Sequence, residues 1–120
     1  MATILVIDDQ EPIRFLLRIA LEGTGHEVLE ASSGHLGLAL YRARSADLVI
    51  TDYCQPEMDG LEMMLDLTRN FLNVKVIAIS GGLEGEGPPN VTKLLGARQT
   101  FKKPLDMEKL LSAVRYELAH

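Results

Sequence analysis

Four groups of side chains in this 120-residue chain have the types and positions to do chemistry together: the acid pair Asp8-Asp9, the acid Asp52, the Ser80 hydroxyl, and the Lys103 ammonium with Pro104 behind it. Each lies at or just past the end of an apolar run, where a strand has to stop. A carboxylate can serve as a nucleophile, further carboxylates can hold a hard divalent cation, and a hydroxyl with a fixed ammonium can bind phosphoryl oxygens. Those are the parts that phosphoryl transfer requires. Taken singly they have plainer readings: Asp8 and Asp9 as caps of the next helix, Ser80 as a turn residue before Gly81-Gly82, and Lys103 as a solvated lysine.

The elements that carry these groups decide whether they meet. Residues 3–7 and 48–51 are nearly continuous apolar runs, as strands covered on both faces should be, and the second delivers Asp52. Residues 27–31 alternate more and predict a strand near an edge, residues 74–79 predict a buried strand ending at Ser80, and residues 99–102 a weaker one. Between them, helical spacing links Ile13, Leu16, Leu17, Ala20 and Leu21 after Pro12, with Gly23 as a stop; Ser32 or Ser33 can cap a helix carrying Leu36, Ala39, Leu40 and Ala43. A third helix starts near Leu61 with Met64, Leu65 and Thr68, where Asp59 can accept bonds from its free N–H groups and Pro56 restricts the loop before it. Residues 81–90 are rich in Gly and Pro and predict a loop, leaving about 91–95 for a short fourth helix; Met107, Leu110, Leu111, Val114 and Leu118 mark a fifth.

Five strands alternating with five helices, without repeat or linker, predict one α/β domain over residues 1–120: a doubly wound, five-stranded parallel sheet of flavodoxin-like order 2-1-3-4-5. In that order the first and third strands are neighbours, about 4.8 Å apart, so Asp8, Asp9 and Asp52 converge at one mouth. Three ionised carboxylates without a counter-charge would raise at least one pKa as a coupled set. Mg²⁺, with Mn²⁺ as an alternative, resolves this with oxygen ligands, retained waters and a phosphate oxygen.

Composition removes other classes. Lys+Arg of 12 against Asp+Glu of 17 gives −5, the wrong sign for a broad grip on nucleic acid or on an anionic membrane surface. The single cysteine, Cys54, excludes an internal disulfide and a Cys-based zinc site. No apolar run approaches membrane-spanning length and no signal peptide is visible, so a cytoplasmic location is expected. His26, His35 and His120 lack ligand spacing and are read as surface residues, and the glycine-rich stretch 82–90 has Pro88 where a nucleotide loop needs Lys.

With these positions placed, the chain resembles a response-regulator receiver domain of two-component signalling along nearly its whole length. The resemblance rests on Asp8-Asp9 as the acidic pair, Asp52 followed by Pro56 and Met58-Asp59-Gly60 at the family's spacing, Ser80 as the switch hydroxyl, and Lys103-Pro104. It implies that Asp52 accepts a phosphoryl group from a phosphohistidine on a sensor histidine kinase or histidine phosphotransfer protein. It further implies that Asp9, Asp52 and the Cys54 main-chain carbonyl bind Mg²⁺ directly, with Asp8 acting through water. Ser80 and Lys103 would bind the phosphoryl group and switch an output face toward a downstream protein, and the Cys54 thiol would at most tune the lifetime of the phosphorylated form. The implied role is that of a signalling phosphoacceptor that assists its own phosphorylation and dephosphorylation, rather than an enzyme.

Two features depart from the family pattern. The switch position three residues before the lysine, usually Tyr or Phe, is Thr100; Phe101 comes one place later, which turns it to the other face of the strand and into the core. The short fourth helix would leave part of the output face to a loop. Three other readings share parts of the pattern. A receiver-like interaction module that works without phosphorylation is opposed by the complete acid, hydroxyl and lysine set. An aspartyl phosphatase would want a second acid at position 54, and a flavodoxin-like electron carrier would have its flavin phosphate repelled by the acids.

Overall fold

Runs of β-branched and aliphatic residues with no polar face have two surfaces to bury, and a central parallel sheet provides both. In the computed structural model the elements in chain order are β1 (Thr3–Ile7), α1 (Glu11–Gly23), β2 (Glu27–Ala31), α2 (Gly34–Ala43), β3 (Leu48–Asp52), α3 (Gly60–Asn70), β4 (Val76–Ser80), β5 (Gln99–Lys102) and a C-terminal helix (Met107–Ala119). The structure describes residues 1–52, 60–71, 73–80 and 96–120, excepting the side chains of 60–64 and 80. The expectations placed on Cys54, Pro56, Asp59, the loop at 81–90 and the short helix near 91–95 lie outside the described residues, as do the side-chain roles of Leu61, Met64 and Ser80.

The sheet has the order β2-β1-β3-β4-β5, with every pairing parallel. β2 is an edge strand, as its alternating pattern predicts, and the Gln99–Lys102 strand has the bounds read from the sequence. The fourth strand begins two residues later than expected, at Val76, and includes Ser80. Side chains alternate across the sheet and divide the core in two. Leu5, Ile7, Val49, Val76 and Ala78 pack with Leu38 and Tyr41 of α2 and Leu67 of α3. Ile4, Val6, Leu48, Ile50, Ile77 and Ile79 pack with Leu17 and Leu21 of α1 and with Leu110, Ala113 and Val114 of the C-terminal helix.

The described helices occur where their spacing predicts, and the C-terminal helix packs its expected face, Met107, Leu110, Leu111, Val114 and Leu118, against the core, but α1, α2 and α3 depart in part from the expected faces. On α1, Leu17 and Leu21 are buried while Leu16 is exposed, together with Phe15 and Ile19. On α2 the buried residues are Gly34, Gly37, Leu38 and Tyr41, whereas Leu36, Ala39 and Ala43 face solvent. On α3 the buried anchor is Leu67, with Leu65 and Thr68 only half covered. Close approach explains α2. A Cβ on Gly37 would overlap the Cδ1 and Cγ1 atoms of Ile7, so the helix lies against β1 with its smallest residues inward. Ser33 caps this helix by accepting from the Leu36 N–H at 3.2 Å.

Gly37→Ala is therefore expected to destabilise the fold. Overpacking against a fully buried Ile7 costs about 1–3 kcal/mol, against a gain of about 1 kcal/mol in helix propensity. Urea denaturation measures the net loss, and a variant more stable than the parent would mean that Ile7 can repack without strain.

Candidate functional site

The site lies at the carboxyl ends of β1, β3 and β5, where an open α/β sheet leaves a crevice beside its topological switch point. Beyond Ile7 the chain stays in the sheet for one more bond, Asp8 N–H donating to the Ala31 carbonyl at 3.1 Å. It then turns: Asp8 Oδ1 accepts from the Gln10 N–H at 2.8 Å, and α1 follows with Pro12 in its first turn. Asp8 is thereby buried at 1% exposure, while Asp9 next to it is exposed. Asp52 ends β3 one residue past its pairing with β1, lies opposite Ile79 of β4, and is buried at 4% exposure. Lys103 follows the last residue of β5, and its side chain returns over the ends of the strands.

One ammonium and three acids therefore meet. Lys103 Nζ donates to Asp52 Oδ2 at 3.0 Å and lies 3.2 Å from Asp8 Oδ2. Asp8, Asp9 and Asp52 each offer a carboxylate oxygen, and these oxygens lie within 4.8 Å of one another. Burial pushes the Asp8 carboxyl above its usual range; the Gln10 N–H and the Lys103 charge pull it down, Asp52 pushes it up, and the balance stays upward. The expected rise of one pKa is present, with burial a larger cause than repulsion between the acids. Burial pulls the Lys103 ammonium down, but its hydrogen bond to Asp52 and the charges of Asp52 and Asp8 outweigh that and leave it above the usual lysine value.

The donor set fits a hard cation. Asp8 Oδ2 is buried, and among the described residues it meets the Lys103 ammonium at 3.2 Å as an ion pair without good hydrogen-bond geometry, which leaves lone pairs on an anionic oxygen for a cation to take up. All three side chains offer oxygen, which suits Mg²⁺ or Mn²⁺ and not a soft metal.

The direction of the Asp8 shift makes a testable statement about stability. A carboxyl held above its unfolded pKa costs the metal-free fold stability at neutral pH, and the cost disappears as pH falls through the folded pKa. In EDTA, Asp8→Asn is expected to melt above the parent at pH 7, with the gap closing on acidification. Thermal melts across that range check it, and a variant that melts below the parent at pH 7 would contradict the sign.

Two residues at the site, Gln10 and Arg14, were missed in the sequence. Gln10 Oε1 accepts from Lys103 Nζ at 2.9 Å. Arg14, one turn into α1, donates to the Asp8 main-chain carbonyl at 2.7 Å and pairs with Glu30 of β2 at 3.3 Å, bracing the acid-bearing turn from behind. An arginine one helical turn after an acid pair was the available clue. Ser80 ends β4 opposite Lys102, so its backbone reaches the same edge of the sheet. Thr100 pairs with Ala78, and Phe101 lies beside Ile79 and packs against the core shared with the C-terminal helix, as expected. His26 differs from its surface reading: it is half-buried, and its Nδ1 accepts from the Ala2 N–H at 3.2 Å.

Comparison with known proteins agrees with this arrangement. The family model for the response regulator receiver domain matches residues 4–115. Protein PilH of Pseudomonas aeruginosa is 33% identical over 120 residues, covering 99% of both chains. The phosphate regulon transcriptional regulatory protein PhoB of the same organism is 32% identical over 114 residues; the match covers 94% of this chain but only 50% of PhoB, so this chain spans about half the length of that relative. Among solved structures, a response regulator receiver domain protein from Clostridium thermocellum superposes with a TM-score of 0.89 at 30% identity, covering 99% of this chain and 95% of that one. Family match, sheet order and the converging acids and lysine lead to one conclusion: this chain belongs to the response regulator receiver domain family of two-component signalling.

Proposed function

We propose that residues 1–120 form a phosphoacceptor domain in which Asp52 takes a phosphoryl group from a phosphohistidine on a sensor histidine kinase or histidine phosphotransfer protein. The convergence of Asp52, Asp8 and Asp9 with the Lys103 ammonium carries this reading. An Asp52 carboxylate oxygen attacks phosphorus; the new P–O bond forms as the P–N bond to the donor imidazole breaks, and the departing nitrogen keeps the electron pair and takes a proton from water. Lys103, already 3.0 Å from Asp52, pairs with the phosphoryl oxygens, and the Ser80 hydroxyl hydrogen-bonds them. Asp9 and Asp52, with Asp8 through water and the Cys54 carbonyl, would hold Mg²⁺ or Mn²⁺, which when bound neutralises charge on the phosphoryl oxygens. Water later hydrolyses the acyl phosphate at the same site.

Partner contact is assigned to the face of α1 beside the acids, where Phe15, Leu16 and Ile19 are exposed and the Arg18 guanidinium lies 5.4 Å from the centre of the Phe15 ring. Output goes to a downstream protein through rearrangement around Ser80 and Thr100, the latter in place of the usual aromatic. Among the described residues no helix is long and apolar enough to cross a membrane.

Incubation with acetyl phosphate and Mg²⁺ tests the reading. One phosphoryl mass increment is expected, absent in EDTA, and borohydride reduction should convert residue 52 to homoserine. No increment, or a label on another residue, would overturn it.

A further inference from the structure

Gln10 has a side-chain position that its local structure does not explain. The residue stands at the N-cap of α1 with an extended backbone, yet its side chain makes no capping bond. Instead it crosses to a residue 93 positions later and accepts from Lys103 Nζ at 2.9 Å. That is shorter than the ammonium's distances to either carboxylate, 3.0 Å to Asp52 and 3.2 Å to Asp8. A long, exposed side chain loses rotamer freedom to make such a contact, and a charge-assisted bond is strong enough to hold it.

An ammonium has three N–H bonds, and three oxygens surround this one within 3.2 Å. A phosphoryl group on Asp52 brings new anionic oxygens, and with two hydrogen bonds and one ion pair already around it Nζ must leave an existing contact to reach them. Gln10 Oε1 is neutral and exposed to water, which makes it the weakest of the three and the one released at least cost. We propose that Gln10 is a positioning residue that tethers the Lys103 ammonium in the unphosphorylated site and releases it when Asp52 carries the phosphoryl group. The inference rests on the phosphoacceptor reading for its consequence. A contact made before the reaction and lost in its course opposes the reaction, so the tether slows phosphorylation.

Two substitutions separate this role from a structural one. Gln10→Met keeps length and stem but removes the acceptor, while Gln10→Glu keeps an acceptor at the same reach and adds a charge. At saturating Mg²⁺, Gln10→Met should be labelled by acetyl phosphate about three- to tenfold faster than the parent, and Gln10→Glu should be slower. Thermal melts of all three proteins check that each is folded. Independently of any phosphodonor or metal, ¹⁵N-lysine labelling should show the Lys103 Nζ signal, assigned by its loss in Lys103→Met, displaced in Gln10→Met. A signal unmoved in Gln10→Met, or a change of labelling rate in the same direction for both substitutions, would overturn the tether. A parent that is never labelled would instead overturn the phosphoacceptor reading, and the Nζ signal would still decide the tether.

Discussion

Asp52→Asn is expected to reduce labelling by acetyl phosphate by at least about a thousandfold, because it removes the proposed nucleophile and leaves its surroundings almost unchanged. Asn matches Asp in shape, and its carbonyl oxygen can still accept from Lys103, which in the parent lies 3.0 Å from Asp52 Oδ2. The substitution also withdraws one of the three acids, so cation binding weakens together with labelling. Intact mass after incubation with the phosphodonor reads the first effect and a Mg²⁺ titration the second. Undiminished labelling would place the acceptor elsewhere. A folded variant that melts near the parent makes a loss of labelling attributable to chemistry.

Lys103→Met should separate stability from cation affinity. The ammonium is the positive charge nearest to Asp8 and Asp52 among the described residues, and its side chain is only 13% exposed. Removing one partner of a buried ion pair usually costs 3–5 kcal/mol; the residual exposure here places the expected loss at about 2–3 kcal/mol in EDTA. Met keeps most of the aliphatic stem, so the loss reports charge more than packing. A positive charge next to a cation site repels the cation, and its removal should tighten Mg²⁺ binding about tenfold. The stability deficit therefore shrinks at saturating Mg²⁺ while labelling falls. Because Lys103 titrates above its usual value, its contribution is fully present below the unfolded lysine pKa and is lost only as pH rises through the folded one. Denaturation at neutral pH with and without Mg²⁺ is the measurement. Equal stability in EDTA together with unchanged affinity would mean that the ammonium does not hold the acids together.

The parent's strands, their order and their polar ends were legible because a strand in a parallel sheet buries both faces. A run such as Leu48-Val49-Ile50-Thr51 therefore leaves little choice of element, and connection rules fix the neighbours. From that order alone it followed that Asp8 and Asp9 would end beside Asp52. Helix faces were less legible. α1 carries apolar residues well beyond one stripe, so its spacing is satisfied by Leu16 as well as by Leu17, and only the packed sheet decides that Leu17 is inside. In α2 the pattern of large residues pointed the wrong way, because the tightest approach to Ile7 selects glycine, which carries no hydrophobic signal.

The sequence by itself thus determined the elements, the sheet order and the meeting of the acids with a lysine, since these depend on local burial pattern and on rules of connection that hold for many chains. Only the tertiary structure decided which faces of α1 and α2 are buried, that Asp8 is enclosed while Asp9 is exposed, and that Gln10 and Arg14 support Lys103 and Asp8. The physical reason is reach. A bond between side chains 93 residues apart depends on rotamers and on a few ångströms of backbone placement, and neither leaves a periodic trace in the order of residues.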